Sequence, residues 1–154
     1  MSTSRRRPYW RTCLSQKRGN VQYGALPYAV GPDGDLRILL VTSRGTRRWI
    51  IPKGWPMKFR RPHKAAAQEA FEEAGVIGKS EKRPIGVYEY DKVTDDGLAI
   101  RCTVTVFPLE VRHLGRTWPE ASERDRRWFS QTEAAERVDE PQLQDMLRTY
   151  RPSA

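Results

Sequence analysis

Glu69, Glu72 and Glu73 are the residues of this chain best placed by type and spacing to do chemistry. They lie in the stretch 54–76, GWPMKFRRPHKAAAQEAFEEAGV. On a helix turning about 100° per residue, the three side chains fall within roughly 100° of one another. Carboxylates crowded on one face repel each other, so they are either solvated or held together by a cation. Hard divalent ions such as Mg²⁺ take oxygen ligands, often one or two carboxylates together with substrate phosphates.

The element that must carry them is a helix. Ala67, Ala70, Phe71 and Ala74 follow the i, i+3, i+4, i+7 pattern of a buried stripe. Pro62 suits a first helical turn, and Gly75 suits the left-handed position just past a helix end. Gly54, Glu69, Ala70, Glu72, Glu73, Gly75 and Val76 together resemble the box of the Nudix hydrolases, GX5EX7REUXEEXGU with U aliphatic. The spacing fits without a gap. WIIPKG ahead of the box and IGVYEY after it are also similar to the family, and the resemblance covers roughly residues 20–150. Two positions depart from the pattern: Arg60 stands where the family has its first Glu, and Gln68 stands where it has Arg.

The resemblance implies an α/β (α+β) fold with a mixed β-sheet sandwiched between helices, the box forming loop, helix and loop against the sheet. It implies hydrolysis of a phosphoanhydride by water, with Mg²⁺ or Mn²⁺ as cofactor. Such an ion lowers the pKa of its water and polarises the phosphoryl oxygen, and a nearby carboxylate completes the deprotonation. On this basis Glu69 and Glu73, one turn apart, are the main metal ligands. Glu72 is a third ligand or the base, and the Lys53 carbonyl is a further ligand. Gly54 permits close approach of backbone and metal. In the family, the Arg replaced by Gln68 holds a neighbouring Glu in place, so this site is expected to be looser or to use another partner. Arg60 cannot bind metal, and with Lys58 and Arg61 it is placed to meet substrate phosphate.

TSRGTRRWIIPKG, IGVYEYDK, IRCTVTVF and DRRWFS are similar to the branch acting on diphosphoinositol polyphosphates and dinucleoside polyphosphates. That similarity places Ser43, Arg44, Arg101 and Arg127 at positions that contact substrate phosphates, with Lys17 and Arg18 joining them. Arg suits the task because its fork meets phosphate bidentately. Each also has a plainer role open to it: Arg44 in a turn, Arg101 on a solvent-facing strand, Arg127 paired with Glu123. Trp49, Trp55, Tyr88 and Tyr90 are candidates to stack on a base, with Trp49 the most core-like and Trp55 the most exposed. His63 and His113 show no partner in the sequence and read as surface residues.

Among 154 residues the net charge is +9. Arg5, Arg6, Arg7, Arg11, Lys17 and Arg18 precede the first acid, Asp33, and leave +3 (9 minus 6) for the rest. The pI is therefore no argument by itself for nucleic-acid binding. Residues 1–19 read as a basic arm with no apolar segment of a secretory signal, and 20–150 as one domain. No run approaches the ~18 apolar residues of a membrane helix. Cys13 and Cys102 form no CxxC, which favours free thiols and a cytoplasmic setting.

Along the chain, 20–30 reads as a strand in which Pro27 marks an edge or bulge, and GPDG at 31–34 as a turn. Residues 36–43, 47–52, 84–92, 98–109 and 126–130 read as strands, with a turn at TDDG, 94–97. Thr132 is expected to cap a short helix, and a final helix runs from Glu140 to Tyr150 with Leu143, Met146, Leu147 and Tyr150 on one side. Two further functions stay open: trimming of RNA 5′ ends, motivated only by the basic arm, and diphosphate sensing without turnover, motivated by Arg60 and Gln68. A polyphosphorylated small molecule is the favoured partner over nucleic acid, and no membrane partner is expected.

Overall fold

Apolar residues on both faces of the central strands give the sheet two buried sides. Leu26, Ile38, Leu40, Val104 and Val106 belong to one core, and their neighbours Ala25, Leu39, Val41 and Phe107 belong to the other. The computed structural model describes residues 20–153; the basic segment 1–19, with Cys13, Lys17 and Arg18, lies outside the described residues. In chain order the elements are β1 (Val21–Val30), β2 (Leu36–Thr42), β3 (Trp49–Ile50), β4 (Lys53–Gly54), α1 (Pro62–Ala74), β5 (Val76–Ser80), β6 (Gly86–Val93), β7 (Ala99–Leu114), β8 (Arg126–Ser130), α2 (Gln131–Arg137) and α3 (Pro141–Thr149). None of the described helices is long and apolar enough to cross a membrane.

The eight strands form one mixed sheet. β1 runs parallel to β7 from Val21↔Thr103 to Tyr28↔Glu110, and the other pairings are antiparallel. α1 covers one face through Ala66, Ala70 and Ala74. α2 and α3 cover the other through Ala134, Ala135, Leu143 and Leu147. This is the expected sheet between helices.

β1 and β2 pair only at Tyr28–Val30 with Leu36–Ile38, then separate. The segment β3–β4 fills the gap: Trp49 and Ile50 pair with β2, while Lys53 and Gly54 pair with β1. The split is what brings Gly54 into the sheet beneath α1. Pro27 is therefore in an interior strand, not an edge. Its lack of an N–H is tolerated because it falls between the stretches that pair with β4 and with β2.

Several local expectations change. The stretch after the box helix, expected as loop, is the strand β5, which pairs with the far end of β7 so that β7 extends to Leu114. The cap of α2 is Ser130, whose hydroxyl accepts from the Glu133 backbone N–H at 3.1 Å, not Thr132. Tyr88 is 1% exposed in the core, and burial raises its phenol pKa well above normal, so it is not a stacking platform. His63 is buried at the start of α1, whereas His113 is exposed as expected. Trp49 packs on the core with its ring 5.0 Å from Phe129, and Trp55 is exposed.

Candidate active site

The site is built where the C-terminal half of α1 crosses β4. Pro62 opens the helix and Gly75 closes it at φ 68, its N–H reaching the Phe71 carbonyl at 2.9 Å. Side chains from outside the helix bond to its last carbonyls. Trp118 Nε1 donates to Glu73 O at 2.9 Å, and Arg126 Nη1 donates to Ala74 O at 2.8 Å while its guanidinium stacks 3.9 Å from the Trp118 ring. These contacts fix the rotation of the helix at Glu73.

That rotation differs from the sequence reading. The buried side of α1 comprises His63, Ala65, Ala66, Ala70, Glu73 and Ala74; Phe71 is exposed and Ala67 half-buried. The three carboxylates therefore do not share one environment. Glu73 is 6% exposed, whereas Glu69 and Glu72 are half-buried.

Glu69 lies directly over Gly54. A Cβ on Gly54 would stand 2.2 Å from the Glu69 carboxyl, so a side chain there would push that carboxyl out of its place. Burial raises the Glu69 pKa to about 8, with Glu73, Glu72 and Glu120 adding repulsion. Burial also raises Glu73, to about 7, against the opposing pull of Arg124 and Lys53. Glu73 Oε1 is buried without a hydrogen-bond partner. A carboxylate pair that resists ionisation and leaves one oxygen unsatisfied suits a divalent cation. Among the described residues no three His, Cys, Asp or Glu side chains already form a metal-binding group. The fit therefore rests on Glu69, Glu73 and the opening at Gly54.

Two functional-site residues escaped sequence reading. Arg124 is buried, with Nη2 3.5 Å from Glu73 Oε2, Nε 2.7 Å from Glu120 Oε1 and Nη1 3.1 Å from Thr42 O. Glu120 is held against the helix by its N–H, which donates to Glu72 O at 3.0 Å. Both come from the segment between β7 and β8, 44 (120 minus 76) and 48 (124 minus 76) positions beyond the box. No local spacing signals them.

The basic candidates are dispersed. Ser43 Oγ lies 2.7 Å from Thr46 Oγ1 and accepts from the Arg48 N–H, which commits it to a turn. Arg44 pairs with Glu123 at 3.6 Å, the partner anticipated for Arg127; Arg127 instead sits 5.0 Å over Phe129. Arg101 is shared between Glu89 at 3.0 Å and Asp91 at 3.1 Å. Arg60 is exposed in the loop before α1. Arg101, with Arg48, Tyr90, Glu140 and Gln142, lines a cavity of about 520 Å³. The Lys53 ammonium lies 4.7 Å over the ring of Tyr90, a lining residue of that cavity, and burial lowers its pKa to about 8 against the attraction of Glu73.

Comparison with known proteins agrees with this architecture. The NUDIX domain family model matches residues 25–150, and the chain belongs to the Nudix hydrolase family, whose members act on pyrophosphate bonds. Nudix hydrolase 13, mitochondrial, from Arabidopsis thaliana is 30% identical over 143 residues, covering 82% of this chain and 71% of that protein. Diphosphoinositol polyphosphate phosphohydrolase 3-alpha of Mus musculus is 35% identical over 94 residues, covering 60% of this chain and 53% of its own length. The crystal structure of C. elegans Ap4A hydrolase superposes with TM-score 0.60 at 17% identity, covering 83% of this chain and 92% of that one, a likeness of fold.

Proposed function

We propose that this chain is a Mg²⁺-dependent pyrophosphohydrolase, with Mn²⁺ as alternative ion, that cleaves a phosphoanhydride in a diadenosine polyphosphate or a diphosphoinositol polyphosphate. One observation carries the reading: the paired carboxyls of Glu69 and Glu73, one pressed on Gly54 and the other with an orphaned oxygen, sit at the Nudix-box spacing. Glu69 and Glu73 are the metal ligands, joined by Glu72 or by the Lys53 carbonyl, and Glu72 is the candidate base. The bound ion supplies Lewis-acid polarisation and acidifies water. The chain's own residues hold the acceptor oxygens in place, and Arg44, Arg60, Arg101 and Arg127 are the proposed donors to the polyphosphate, while Ser43 shapes the turn that carries Arg44. The exposed ion pairs of Arg44 and Arg101 are weak, worth ~0–1 kcal/mol, so phosphate competes for both guanidinia. Similarity to a phosphohydrolase of diphosphoinositol polyphosphates supports the substrate class. A cytoplasmic, reducing setting is proposed on the buried free thiol of Cys102.

The test is turnover on diadenosine polyphosphates, a diphosphoinositol polyphosphate, nucleoside triphosphates, ADP-ribose and a 5′-triphosphate RNA, each with Mg²⁺ or Mn²⁺. We expect release from one of the first two, lost on Glu73→Gln because a neutral amide replaces a ligand carboxylate. Equal release by the variant sinks the assignment. Tight binding with no turnover across the panel favours a sensor.

A further inference from the structure

The box of this chain lacks its arginine, since position 68 is Gln and carries no charge. Glu73 nevertheless has a guanidinium beside it, delivered from a distant part of the chain. We propose that Arg124 is the positioning residue of the site: it holds Glu73 by Oε2 so that Oε1 is left for the cation, the task the box leaves unfilled at Gln68. The proposal rests on the metal-ligand reading of Glu73 given above.

Geometry carries the inference. The guanidinium of Arg124 spends all three nitrogens on three different elements: Nη2 faces Glu73 on α1, Nε bonds Glu120 in the β7–β8 segment, and Nη1 bonds the carbonyl that ends β2 at Thr42. Its side chain is 7% exposed and that of Glu73 is 8% exposed, so neither is free to reorient in water. A planar, always charged fork can bridge three acceptors, whereas an ammonium offers a single point charge. The lock is tightened from behind: the Asp125 N–H, one residue on, donates to Thr42 Oγ1 at 2.9 Å, and Asp125 itself pairs with Arg47. The two oxygens of Glu73 are thereby unequal. Oε2 faces the cation of Arg124, and Oε1 has no partner. Groups that orient a metal ligand in this way typically change metal affinity or activity 10–100-fold when removed.

The test compares wild type, Arg124→Gln and Arg124→Lys, using Mn²⁺ titrated without substrate and read by electron paramagnetic resonance, after thermal melts establish folding. We expect Arg124→Gln to weaken Mn²⁺ binding about tenfold or more, and Arg124→Lys, which keeps the charge but not the fork, to weaken it by a smaller factor. In turnover, kcat falls while KM holds, because Arg124 acts through Glu73 and does not touch substrate. Should Arg124→Gln fail to fold, Arg124→Lys carries the test alone. Unchanged Mn²⁺ affinity in a folded variant makes Arg124 a structural tie and overturns the proposal. Tighter Mn²⁺ binding overturns it too, by showing that the guanidinium only repels the ion. A raised KM at constant kcat reassigns Arg124 to substrate binding. Wild-type protein that binds no Mn²⁺ removes the metal reading itself, a failure distinct from an indifferent Arg124.

Discussion

Two helices lie on opposite faces of the same sheet, and they are built for different ends. α3 buries Leu143 and Leu147 completely and places its polar residues outward. Full burial of each leucine stabilises the fold by about 1.5–3 kcal/mol. α1 instead buries alanines, a histidine and the Glu73 carboxylate. Alanine has little apolar area to bury, and a buried carboxylate opposes folding unless it is paired. The comparison teaches that α3 contributes chiefly apolar burial, while α1 tolerates a costly arrangement that has a use. The costly side is also where a neighbour must intervene: Arg124 pairs Glu73, while Trp118 and Arg126 complete the helix end.

Truncation gives the sharpest contrast. Leu143→Ala should cost about 2–5 kcal/mol of stability in chemical denaturation, with kcat of the folded protein unchanged. If kcat falls in step with stability, the two faces are not independent.

The reciprocal change is Gly54→Ala. The added Cβ would lie 2.2 Å from the Glu69 carboxyl, which must move away. A displacement of this order costs about 10²-fold in turnover. The melting temperature should change less than for Leu143→Ala, and a variant as active as wild type would show that Glu69 is free to shift.

The site face should also carry a pH dependence. The raised carboxyls of Glu69, about 8, and Glu73, about 7, stay protonated in the folded protein where the unfolded chain, near 4.5, has released its protons. Their contribution to stability is full below about pH 4.5 and is lost as pH rises through 7 to 8. Thermal melts in a chelator should therefore fall across this window. Saturating Mg²⁺ should flatten the fall by favouring the ionised pair. Parallel curves with and without Mg²⁺ would contradict the ligand assignment.

The smallest effect expected is on the stabilising face. Ser130→Ala removes the side-chain cap of α2 and should lower stability by about 1 kcal/mol, with metal response untouched. Thr132→Ala should do less, since the structure gives the cap to Ser130.

What the sequence could determine was whatever depends on residues close together in the chain. The helix from Pro62, its end at Gly75, the turns at Gly34 and Gly97, and the spacing of Glu69, Glu72 and Glu73 all follow from local propensity and periodicity. So does the alternation that places successive strand residues in two cores. The rotation of α1 was not legible, because Ala67 and Phe71 fit a buried stripe as well as Ala66 and Ala70 until a sheet is set beneath them. Tyr88 could serve a core or a binding surface equally well by type. β5 gave no apolar alternation, and only the far end of β7 makes it a strand. Above all, the missing charge at Gln68 is a local fact, whereas its substitute at Arg124 is not. Only folding sets the β7–β8 segment against α1 and the end of β2, and burial there turns a remote arginine into the partner of Glu73.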